Sequence, residues 1–340
     1  RMPSKETYNH CLEAGYAVDK NAYTKFDSLE TDQDLEELFN LLSIHKDCNG
    51  NNPIFTANCL VANPDFEKIL ESDCKNYYFE TVDETFSKSI NSKNVLRLWK
   101  EGNEEKFFTM QSHGREHLNV ARFMFDLEKG NADALFALKN KMPGIFAKNN
   151  YILGNEYVVA LENSDQDDLM SKCKIIGEGL DLFFQTFGYY SKSYIACNYV
   201  WDPEIEKVLN EKNVAYIQGT IFQMTPKGKF NGFKKTLHYT GEMNNQQQTY
   251  LVRNAHFEPV YDGQAALNNC LKQINLAFKL NLPAIISTHR INYVSTMDKS
   301  NRSTGLKYLD VLFKTILKRW PDVTFMTTTE LGNYINDTKK

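Results

Sequence analysis

The chain has 340 residues, 42% of them hydrophobic and 24% charged, with a formal net charge of −4. That length is enough for one large domain or two small ones, and the composition is ordinary for a globular protein. The acidic balance and the lack of any strong Lys/Arg cluster argue against general nucleic-acid binding, and no run of 18 apolar residues is available to span a membrane. The start, Arg1-Met2-Pro3-Ser4, lacks the apolar core of a signal peptide. Seven cysteines without a CxxC pair fit a reduced compartment, with the cytoplasm as the expectation, and speak against a cysteine-rich zinc site. The 22 Phe and 18 Tyr read first as a Phe-rich core.

Short β-rich runs alternate with longer helical patterns along the whole chain. Thr31 is placed to cap a helix with Asp34 at its third position, and Leu35, Leu38, Phe39 and Leu42 share one face. Pro53 to Asn58 is the first strand expected, and Phe107 to Gln111 the next. A helix follows through Leu118, Ala121, Met124 and Leu127 and stops at Gly130. Residues 164–187 read as a long helix. Ser193 to Asn198 is a strand, and Asp202-Pro203 supplies an N-cap and first-turn proline for the helix after it. Val214 to Gln218 is a strand ending at Gly219. Thr220 to Thr249 is a polar excursion with hairpin character, after which Tyr250 to Arg253 returns to strand. A helix through Leu267, Leu271 and Phe278, a strand from Ala284 to His289, a helix through Leu306 to Leu317 and a strand from Val323 to Thr327 complete the pattern.

Strands alternating with helices imply βαβ units and a mostly parallel sheet. About seven strands point to a (β/α) barrel, one domain over residues 1–340. No GxGxxG or Walker pattern follows any strand, so a nucleotide site has no support.

In such barrels the functional residues gather where strands end and loops begin. His113 and His117 follow one strand, and His289 closes another. Two imidazoles four residues apart suit a divalent metal, and a third histidine at a strand end suits proton transfer. Arg115 and Glu116 share the first loop, as a group that orients substrate and as a ligand partner or base. His256 and Glu258 follow the strand carrying Arg253 and Asn254. His113-x-x-Glu116-His117 also spells the HxxEH of one metalloprotease class, but there the motif lies within a helix. Here a strand precedes it and Gly114 interrupts it, so the protease reading is the poorer fit.

The strand-borne HxxxH, the Tyr250-Leu251-Val252-Arg253-Asn254 run with Phe257-Glu258-Pro259, and Pro283 to Tyr293 resemble the polysaccharide deacetylase (NodB-like) superfamily, in its bacterial surface-polysaccharide branch. The resemblance covers most of the chain. It implies a distorted (β/α) barrel whose first strand, bearing the family's paired aspartates, lies upstream of Arg1. It implies a divalent metal, zinc in the first instance, on His113 and His117, and His289 as the acid. The family's Arg-x-Pro loop corresponds to Asn198-Tyr199-Val200-Trp201, which has no arginine, and Arg253 takes its place.

The resulting expectation is a metal-dependent hydrolase that removes acetyl groups from a saccharide. Its catalytic residues are His289, Glu116 and Arg115, its metal ligands His113 and His117, and its substrate-binding residues Arg253, Asn198, Tyr199, Trp201 and Glu258. Two alternatives stand beside it. One is a glycoside hydrolase on a similar barrel, with Glu116 and Glu258 as its two carboxylates. The other is a non-catalytic saccharide-binding barrel.

Overall fold

A computed structural model describes residues 1–145, 156–229 and 231–338. Five strands form one parallel sheet: β1 (Phe55–Cys59), β2 (Phe108–Ser112), β3 (Ser193–Ile195), β4 (Tyr216–Gly219) and β5 (Thr249–Val252), in that spatial order. The chain continues from β5 into β6 (Ala255–His256), which pairs in parallel with β7 (Ile286–Ser287). The α/β class with a parallel central sheet is therefore as the alternation of elements predicts.

One hydrogen bond shows how strongly the sheet curves. Gln218 of β4 donates through Nε2 to Oδ1 of Asn58 in β1 at 2.8 Å, although β2 and β3 lie between them. Strands three places apart in a flat sheet would be roughly 14 Å away at the usual spacing of about 4.8 Å. The sheet is rolled towards a barrel, with a polar layer inside. There the Gln111 side-chain oxygen accepts from the main-chain N–H groups of Lys192 and Ser193, and Gln218 also donates to Ser193 Oγ.

The helices follow the expected local signals. Thr31 and Asp34 form a reciprocal capping box at the start of α1 (Asp32–Ile44), which buries Leu35, Leu38, Phe39 and Leu42. α2 is Val95–Glu104 and α3 is Val120–Glu128. Asp165 caps α4 (Gln166–Phe187), which ends at Gly188 in the left-handed region. Asp202 and Pro203 begin α5 (Pro203–Glu211). α6 (Pro259–Lys279) and α7 (Lys299–Arg319) pack on one side with α1 and α2, burying Ile274, Leu309, Phe313 and Ile316 with the strands. On the other side α4 and α5 cover β3 and β4 through Ile176, Leu180, Ile205 and Leu209. Each such side chain contributes about 1.5–3 kcal/mol of burial. The polar excursion contains an antiparallel hairpin, Phe222–Pro226 with Phe233–Leu237.

Two sequence expectations need correction. Val323 to Thr327 pairs with no strand among the described residues; it leads into α8 (Thr328–Asp337) through a second capping box, Thr327 with Glu330. The run from Ser193 stops being a strand at Ile195 and turns over Cys197–Tyr199. Among the described residues β1 pairs only with β2 and β7 only with β6, so the ring of strands stays open between them. A cavity of about 1750 Å³ runs through the interior to the strand-end mouth. No described helix is long and apolar enough to cross a membrane.

Candidate active site at the strand ends

His113 is the first residue beyond β2, and its N–H donates to the carbonyl of Cys59 at the end of β1. Gly114 then takes φ +104°, a conformation that costs any other residue strain. The turn is pinned by the Arg115 carbonyl, which accepts from Val61 and Ala62 N–H at 3.2 and 2.8 Å. Asn119 caps α3, so the whole segment from His113 to Glu116 and His117 precedes the helix. This geometry is unlike the helical HxxEH of metalloproteases.

The two imidazoles meet edge to face, with ring centroids 5.3 Å apart. His113 donates from Nδ1 to the Ile195 carbonyl at 2.8 Å, which leaves Nε2 as the free lone pair, 4.0 Å from Cys197 Sγ. His117 Nδ1 is buried with no hydrogen-bond partner. One donor atom from each of His113, His117 and Cys197 lies within 4.8 Å of the others. Burial and the neighbouring His117 ring push His113 down to about 3, and burial brings His117 to about 4. Both rings are therefore neutral at pH 7, the form that binds metals. An orphaned buried nitrogen beside two further donors is what a site for a divalent ion presents.

Glu116 lines the cavity, but both of its oxygens are held by Arg115, through Nε at 2.6 Å and Nη2 at 2.8 Å. Arg115 also donates to Glu178 at 2.6 Å and lies over the Phe79 ring. Burial pushes the Glu116 carboxyl up while Arg115 pulls it down. The expectation that Arg115 orients substrate is corrected here. Its guanidinium is buried, committed to two glutamates, and absent from the cavity lining.

Across the mouth, His289 follows β7 and donates from Nδ1 to Glu258 Oε1 at 2.5 Å; Asn292 donates to the other oxygen at 2.6 Å. Tyr23 meets the His289 ring edge to face at 5.7 Å. Tyr23, Asp27 and Tyr199 line the same cavity. Arg253, just past β5, donates to Ser287 Oγ at 3.1 Å and reaches Tyr199 Oη at 3.4 Å; it has no carboxylate partner among the described residues. Asn198 and Tyr199 both adopt positive φ, 56° and 59°. That is tolerable for Asn but strained for Tyr, and such strain concentrates at functional turns.

Trp201 is the second correction. It is buried, and its indole N–H donates to Glu206 at 3.0 Å, so it packs the core and offers no face for a sugar. Sequence reasoning missed two further groups. Cys197 lay inside the run Ser193 to Asn198 that reads as strand, so nothing in the sequence marked it. Arg290 clamps Asp27 at 3.0 and 3.1 Å and Glu30 at 3.2 Å at the rim of the mouth; its place directly after His289 was the available signal.

No family model matches the chain, and no curated protein matches it. Solved structures with distant likeness include a 4-α-glucanotransferase from Thermococcus litoralis, at 14% identity and TM-score 0.43 over 92% of this chain and 35% of that one. An α-amylase from Thermotoga maritima gives 10% identity and TM-score 0.39, covering 78% and 60%. A GH57 branching enzyme from Thermococcus kodakaraensis gives 10% and 0.36, covering 96% and 63%. The chain thus spans less than two thirds of the length of each. These findings correct the resemblance to polysaccharide deacetylases. No deacetylase is among these three structures and no family model supports one, so the deacetylase assignment is withdrawn.

Proposed function

We propose that this chain is a hydrolase that cleaves a glycosidic bond of a saccharide at the strand-end mouth of its barrel. The observation that carries the reading is the hydrogen-bonded Glu258–His289 pair beside a cavity lined by Tyr23, Tyr199 and an Arg253 that has no acidic partner among the described residues. Tyrosine faces stack on sugar rings, and Asn198 and Arg253 supply hydrogen bonds to hydroxyl groups. Hydrolysis of a glycosidic bond uses two carboxyl groups. Glu258, which shares a hydrogen bond with His289, is one, and Glu116, which lines the cavity with its oxygens bridged to Arg115, is the other. His113 and His117 are the ligands for a divalent metal in the same cleft. When bound, such an ion polarises a coordinated oxygen and lowers the pKa of its water. His289, held by its Nδ1–H on the Glu258 carboxylate, transfers the proton, and Arg253 fixes the sugar.

The test is incubation of the purified chain with defined oligosaccharides, with product chain length read by mass spectrometry and metal content by elemental analysis. New reducing ends and shorter oligosaccharides, lost in Glu258→Gln and Glu116→Gln, are expected. Saccharide binding without turnover overturns the hydrolase in favour of a binding barrel.

A further inference from the structure

We propose that Cys197 is a metal ligand, which with His113 and His117 makes a His2Cys site for a transition-metal dication rather than for magnesium or calcium. This deepens the reading that the two histidines hold an ion, and rests on it. Three observations converge. The His113–Ile195 bond fixes the tautomer, so the Nε2 lone pair, not an N–H, faces the sulfur 4.0 Å away. The other contact of the sulfur is a long one, 3.8 Å to the His113 carbonyl. His117 Nδ1 is a buried nitrogen with no hydrogen-bond partner, an arrangement a protein rarely leaves unsatisfied.

A single cation bound by one donor atom of each residue accounts for the grouping of the two rings and the sulfur. Ligands at usual nitrogen and sulfur distances from a tetrahedral ion lie roughly 3.4–3.6 Å apart, so the donors need to close in by about half an ångström to one and a half ångströms from their present separations of up to 4.8 Å. The left-handed turn at Asn198 and Tyr199, directly after Cys197, holds the sulfur at the end of β3 facing the strand that carries His113. A thiolate favours borderline and soft ions, whereas magnesium and calcium prefer oxygen donors. On binding, one metal–sulfur and two metal–nitrogen bonds form, the ion sheds water, and the thiol proton leaves to solvent. No oxidation state changes.

The experiment is cobalt(II) titration of the purified chain, which reads visible d–d bands for any bound ion and a near-ultraviolet thiolate-to-cobalt charge-transfer band for sulfur ligation. The wild-type chain is expected to show both. Cys197→Ala should lose the charge-transfer band and bind cobalt at least about ten-fold more weakly, since even outer partners of a ligand carry about 10–100-fold. Cys48→Ala, which removes the exposed cysteine, should keep the band. Cys197→Ser, closer in size, repeats the comparison should the alanine variant fail to fold. Visible bands without charge transfer in the wild type, or a band that survives in Cys197→Ala, overturn the sulfur ligand while the histidine pair stands. No cobalt binding at all overturns both.

Discussion

His113 on the end of one strand donates its Nδ1–H to the carbonyl of Ile195 on the end of the next, across 2.8 Å. A carbonyl can only accept, so the bond assigns the tautomer and aims the remaining nitrogen at the cleft. Neighbouring parallel strands thus orient a side chain that neither could orient alone. The same logic operates across the mouth, where Glu258 after β6 orients His289 after β7.

His289 is the group placed for proton transfer, half exposed and tied through Nδ1 to a carboxylate. His289→Ala should lower kcat by about 10²–10⁴-fold while the metal content of the chain stays unchanged. Parallel loss of metal in His289→Ala and His113→Ala would instead make His289 a ligand, and the assigned roles would be wrong.

Gly305 sits where α7 crosses the turn Arg290–Asn292, and a Cβ there would lie 1.8 Å from the Asn292 carbonyl oxygen. That oxygen is main chain and cannot swing aside. Gly305→Ala should destabilise the protein by about 1–3 kcal/mol and loosen the Asn292 grip on Glu258. Urea denaturation measures the first effect. An unshifted midpoint would show that the helix can slide without cost.

Asp47 accepts main-chain hydrogen bonds from Asn49, Asn51 and Phe325 at 2.8–2.9 Å, tying the segment before α8 to the end of α1. Burial raises its pKa, but these bonds outweigh burial and hold it below the ordinary carboxylate value. A group depressed in the folded state adds stability that is complete above the unfolded pKa, about 3.9, and is lost as pH falls through the folded one. The wild-type chain should lose stability on acidification through that window, and Asp47→Asn should show a flatter dependence. Identical pH profiles for the two would remove Asp47 from the account.

Much of the scaffold was legible because local chemistry and global fold agree. Thr31 with Asp34, Asp202 with Pro203, and Gly130 marked helix ends where the structure has them. The run Val323–Thr327 misled because a β-branched, apolar stretch reads as a strand whether or not a partner strand exists. Its true signal was Thr327 three residues ahead of Glu330, the same capping box seen at Thr31. At the site, placing His113, His117 and His289 at strand ends needed only strand periodicity. Which groups face the cleft did not follow from it. Arg115 and Glu116 are adjacent in sequence, yet the glutamate reaches the cavity and the arginine turns into a buried pair. Trp201 is recruited by Glu206 on the following helix, a contact that strand or helix periodicity does not encode.

The open ring of strands divides the sheet into a firm side and a loose one. Phe55 N–H bonds towards β2, and the two-residue alternation of a strand turns the amides of Thr56 and Asn58 the other way, to where no strand pairs. Tyr194 and Ile217, by contrast, lie in strands bonded on both flanks. Deuterium should therefore enter the sheet from β1 inwards.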